Sequence, residues 1–166
     1  MSELTVSNTD FSLVEAVKTA LDAATIDSAD VFQSVAVTAS KAAPDQYPFH
    51  DSPAAVVRYV TTREDDSPED LRGCCVALEL TLAVLVDCAT ADESSRLQEV
   101  LRLKNAAINA VEASPPAAAS AWGDGDHYQG RIRWGRSQLD TAVGRPWAVC
   151  VLPVEIAFVL SSPTSH

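Results

Sequence analysis

Lysine is scarce in this chain. Lys18, Lys41 and Lys104 are the whole set, against 23 Asp and Glu and a net charge of −11. A chain this acidic is a poor nucleic-acid binder, because contacts to phosphate dominate that affinity. Few lysines beside many acids also fit a high-salt or high-GC source. Long apolar runs are missing too. No stretch of about 18 uncharged apolar residues occurs, so no membrane-spanning helix is expected. Met1 to Asp10 is polar and acidic, with no basic segment leading into an apolar one. A secretory signal is therefore not expected, and the cytosol is the expected compartment.

Catalytic signatures are missing as well. The sequence has no G-x-S-x-G, no P-loop and no G-x-G-x-x-G. Its four cysteines, Cys74, Cys75, Cys88 and Cys150, include no C-x-x-C pair of the kind zinc sites use. Cys74 and Cys75 are adjacent, so on a strand they point to opposite faces and cannot easily share a metal. Buried, reduced thiols are the expected state, and Cys150 reads as core. His50 lies in a proline-rich loop, His127 stands beside Asp126 without a nucleophile tied to it, and His166 is at the end of the chain. No constellation supplies acid, base and oxyanion donors together. Catalysis, a bound cofactor and a metal are not expected. An enzyme or metal protein would have to draw on Asp124, Asp126, His127 or the cysteines.

What the sequence does contain is centred on Val76–Val86, V-A-L-E-L-T-L-A-V-L-V. Every even position is a large apolar residue, while Glu79 and Thr81 stand among the odd ones. Side chains alternate across a strand, so one face is apolar and the other more polar. That pattern suits an antiparallel sheet covered on one side. At ~3.3 Å per residue the stretch spans more than ~30 Å. It is the expected spine, running from Leu71 to about Cys88.

The remaining elements follow in order. Leu13, Ala16, Val17, Ala20, Leu21 and Ala24 make one helical face over residues 12–24, opened by a Ser12/Glu15 capping box. Val31–Ser40 and Ala54–Thr62 read as strands. Arg63–Asp70 holds five acids and a proline and reads as a hairpin loop. Thr90–Ala113 reads as a second helix, with a Thr90/Glu93 capping box and a face through Leu97, Val100, Leu101, Lys104, Ala107, Ile108 and Val111. Ser114–Asp126 is an Ala-, Pro- and Gly-rich connector with Trp122 as an anchor. His127–Arg136 places Ile132 and Trp134 on one strand face and Arg131 and Arg133 on the other. Pro146–Leu160 is a second long strand, where Pro153 marks an edge or a bulge.

Strands come in runs, so the fold class is α+β: an antiparallel (mixed) sheet of about five strands with two helices packed on one face. Residues 11–160 form one domain, flanked by a flexible N-terminus (1–10) and a flexible tail (161–166). Charge is uneven along it. Residues 1–70 carry a net −9, residues 71–126 a net −4 and residues 127–166 a net +2. An acidic side of one copy could meet a basic side of another.

The order of a capped helix, P-A-A-V-V-R-Y (Pro53–Tyr59), an acidic loop and the long R-G-C-C-V-A-L-E-L-T-L-A-V-L-V strand points further. After the second helix come R-I-R-W-G (Arg131–Gly135) and R-P-W-A-V-C-V-L-P-V-E-I-A-F (Arg145–Phe158). Together they resemble the tail-terminator and tail-completion proteins of long-tailed viruses, the group of lambda's minor tail protein U. The resemblance covers residues 11–160 and rests on hydrophobic pattern and spacing. It implies a non-enzymatic virion protein that assembles as a ring, usually of six copies, at the head-proximal end of the tail and in the host cytoplasm during assembly. The ring would sit on the major tail tube protein, stop tube polymerisation and meet the head-completion or connector protein. Genome DNA would pass through the lumen without specific binding, which an acidic chain suits. Contacts are expected at Glu64, Asp65, Asp66, Glu69 and Asp70 in the acidic loop, and at Arg131, Arg133 and Arg136. A head-closure or neck adaptor is the alternative among virion proteins. A small cytosolic α+β enzyme or a ligand-binding domain is the alternative from another class.

Overall fold

In the computed structural model, residues 2–39, 52–65, 72–85, 92–113, 128–141 and 146–160 are described. The chain runs α1 (Ser2–Asp22), β1 (Thr25–Ile26), β2 (Ala29–Asp30), β3 (Ser34–Thr38), β4 (Ala54–Asp65), β5 (Arg72–Leu85), α2 (Glu93–Ala113), β6 (Tyr128–Trp134), β7 (Gln138–Asp140) and β8 (Trp147–Leu160). The fold is α+β. Its main sheet has six strands in the order β3-β4-β5-β8-β6, with β7 also paired to β8.

The expected spine is the centre of this sheet. β5 pairs antiparallel with β8 along its whole length, from Arg72 opposite Leu160 to Leu85 opposite Trp147. Its other side pairs antiparallel with β4. Fourteen residues make both central strands about 45 Å long. The sheet is mixed because β3 runs parallel to β4. A chain that returns in the same direction needs a crossover, and the connection between them covers residues 39–53.

Alternation decides which face is covered. Val76, Leu78, Leu80, Leu82 and Val84 of β5 are buried beside Ala148, Cys150, Leu152, Val154 and Ile156 of β8. Both helices pack on this face in one hydrophobic core. α1 supplies the stripe expected of it: Leu13, Ala16, Val17, Ala20 and Leu21 are all buried, with Val14 alongside. α2 buries Val100, Ala107 and Val111 of its expected face and is turned from Leu97 and Leu101 toward Arg96 and Leu103. The buried line is Arg96, Val100, Leu103, Ala107 and Val111, while Leu97 is 37% exposed. Arg96 holds the inward position in the first turn because its guanidinium meets backbone carbonyls there. Nε donates to the Thr141 carbonyl at 3.2 Å and Nη2 to the Trp147 carbonyl at 3.4 Å.

Several boundaries differ from the sequence expectation. α1 begins at Ser2, so Ser12 lies inside the helix instead of capping it. α2 is capped by Asp92: its Oδ1 accepts from the Ser95 N–H at 2.7 Å, where a negative group also faces the positive end of the helix. Thr90 lies outside the described residues. The β1–β2 hairpin was not expected. Its turn residues Asp27 and Ser28 have φ of 52° and 68°, the double left-handed turn that suits the twist of a two-residue hairpin. Val31 and Phe32, expected in the first strand, instead precede β3 and are buried in the core. β4 continues through Asp65, opposite Gly73, so Arg63, Glu64 and Asp65 belong to a strand and not to the hairpin loop. The ladder's hydrogen bonds extend the strand past the point where its side chains turn acidic. A bulge at Tyr59–Thr61 leaves Val60 as the extra residue, 44% exposed.

Pro153 lies in β8, one strand in from the edge. Gly135 donates its N–H to the Pro153 carbonyl at 2.8 Å. Within a strand the N–H and C=O of one residue point the same way, so the N–H that proline lacks would have faced the break between β6 and β7. The two residues also touch: a Cβ on Gly135 would lie 2.9 Å from the Pro153 Cβ. Glycine is what lets the edge come this close.

Candidate interaction surface

The sheet face away from the helices divides in two. At one end Ala54, Val56, Thr81, Ala83 and Val149 are buried. The more polar odd face expected for the spine is therefore corrected over this half: Thr81 and Ala83 are 1% and 0% exposed. Small and β-branched side chains stand opposite one another here, Ala54 beside Ala83 and Val56 beside Thr81.

The other end is charged. Arg58 stands opposite Glu79 in the register, and its Nε meets Glu79 Oε1 at 3.1 Å. Both side chains are more than three-quarters buried. Arg63 reaches from β4 across β5 to Glu155 on β8, with Nη1 to Oε1 at 3.1 Å and Nη2 to Oε2 at 3.4 Å. That two-point geometry matches the guanidinium fork to the carboxylate. The span is open because the β5 residues between them are small: Cys75 opposite Arg63, and Ala77 opposite Glu155. Arg133 of β6 stands opposite Glu155 on its other side. The two inner strands therefore carry the acids Glu79 and Glu155, and the flanking β4 and β6 carry the arginines.

The residues expected to make contacts are placed as follows. Glu64 and Asp65 end β4, opposite Cys74 and Gly73. Asp66, Glu69 and Asp70 lie outside the described residues. Arg131 stands opposite Ala157 and Arg133 opposite Glu155 on β6. Arg136 is exposed just beyond β6. β5 and β8 separate the acids of β4 from the arginines of β6, so at ~4.8 Å per strand spacing the two groups lie about 14 Å apart. They form two flanks of one sheet end, not one cluster. Sequence reading did not pair Arg58 with Glu79 or Arg63 with Glu155. The available signal was an acid at an odd position in each long strand, which calls for a cation on a neighbouring strand.

No group of three or more His, Cys, Asp or Glu residues is placed to hold a metal ion among the described residues. Cys150 lies in the core, where burial pushes its thiol up to about 11, with Lys104 acting in the opposite sense. A thiol so placed stays protonated and is a poor nucleophile at neutral pH. His50, His127 and His166, together with Trp122, Asp124 and Asp126, lie outside the described residues. An open groove of about 560 Å³ runs between α1, the β1–β2 hairpin and α2. It is lined mainly by alanines, with Arg102, Asn105 and Asn109, and has no acid–base pair. Among the described residues, no helix is long and apolar enough to cross a membrane. No protein-family model matches the chain, and no curated protein does either.

Proposed function

We propose that this chain is a structural protein of a long-tailed virus, forming a ring on the head-proximal end of the tail tube. In that position it stops tube polymerisation and joins tail to head. The observation that carries the reading is the pairing of β5 with both β4 and β8. Three long antiparallel strands make a stiff beam, and Glu64 and Asp65 close β4 at one end of it. A rigid element that presents charge at its tip suits a protein whose work is contact with neighbours. The acidic balance of −11 suits a lumen that lets DNA pass without holding it. The order of elements and the two long strands are those on which the resemblance to tail terminators rests.

The test is assembly. Purified protein is measured by light scattering alone and with tail tubes, and tube lengths are measured by electron microscopy. A ring gives a mass several-fold above 17.6 kDa on the tube or in solution, and tubes stop growing when it is added. Changing Asp65, Asp66, Glu69 and Asp70 to Lys is expected to block joining to heads. A chain that stays monomeric in both settings and leaves tube length unchanged overturns the reading.

A further inference from the structure

We draw no further inference here: the strongest candidate, the open groove between α1, the β1–β2 hairpin and α2, is lined mainly by alanines, and nothing in the structure shows what covers it.

Discussion

Replacing Arg96 with Met should be among the more damaging single changes in this protein. The side chain is fully buried in the first turn of α2. A cation there faces the unfavourable positive end of the helix, so local helix energetics do not explain its position. The contacts do: its guanidinium donates to the carbonyls of Thr141 and Trp147, which flank the connection between β7 and β8. Two terms oppose each other in the variant. Met keeps most of the volume and removes the cost of burying a charge, which can favour an apolar replacement. Against that, two carbonyls lose a charged donor, and each buried acceptor left unpaired costs about 1–3 kcal/mol. The loss should win, because the partners are backbone groups in a part-buried setting that lose a charged donor. We expect a net destabilisation of about 2–4 kcal/mol, a large share of the ~5–15 kcal/mol of a typical domain. Arg96→Lys should recover less than half, since an ammonium lacks the planar fork that reaches both carbonyls. Urea denaturation gives the stability, and hydrogen exchange at residues 141 and 147 locates the effect. A cost below about 1 kcal/mol for Arg96→Met, with no local change in exchange, would refute the reasoning.

Other expectations follow from single contacts. Gly135→Ala puts a methyl group 2.9 Å from the Pro153 Cβ, and a proline ring cannot swing away; thermal unfolding should show a loss of about 1–3 kcal/mol. Replacing Asp27-Ser28 with Asn-Gly suits the left-handed turn better and should stabilise by about 0.5–1 kcal/mol in the same assay. Asp92 is held below its ordinary pKa chiefly by the Ser95 backbone N–H, so its folded form favours the carboxylate. The stability it contributes is present above the ordinary carboxylate range and is lost as pH falls through its lowered value. Unfolding midpoints of wild type and Asp92→Ala should therefore differ at pH 7 and converge in acid. Cys150, its thiol raised to about 11 by burial, should resist iodoacetamide at pH 8 in the folded protein and react once urea unfolds it, as read by mass spectrometry.

Patterns that repeat within one element were legible. The period-2 alternation of Val76–Val84 and the helical stripe of Leu13–Leu21 each name their buried face without reference to anything else. Features that depend on a partner were not. Arg96 is a surface residue by composition and is buried only because two carbonyls 45 and 51 positions away need donors. The face of α2 could not be chosen from Leu97 and Leu101 alone, since Val100 and Leu103 make an equally good apolar line. The β1–β2 turn contains no glycine, so the usual sequence signal for two left-handed residues is missing. The end of β4 was misjudged because Glu64 and Asp65 look like loop residues, whereas strand length is decided by a neighbour's free hydrogen bonds. The ion pairs became visible only with the register, which sets Glu79 beside Arg58 and lets Arg63 cross to Glu155.

That charged lattice bears on what the open face is for. Arg63 and Glu155 are each about a third or more exposed, and an ion pair at such exposure contributes at most about 1 kcal/mol. The Arg58–Glu79 pair is better buried, but two charges withdrawn from water there offset much of their attraction. Stability therefore does not account for building the face this way; valines would serve as well. What the lattice does is keep a 45 Å sheet from presenting an apolar surface on which a second sheet could stack.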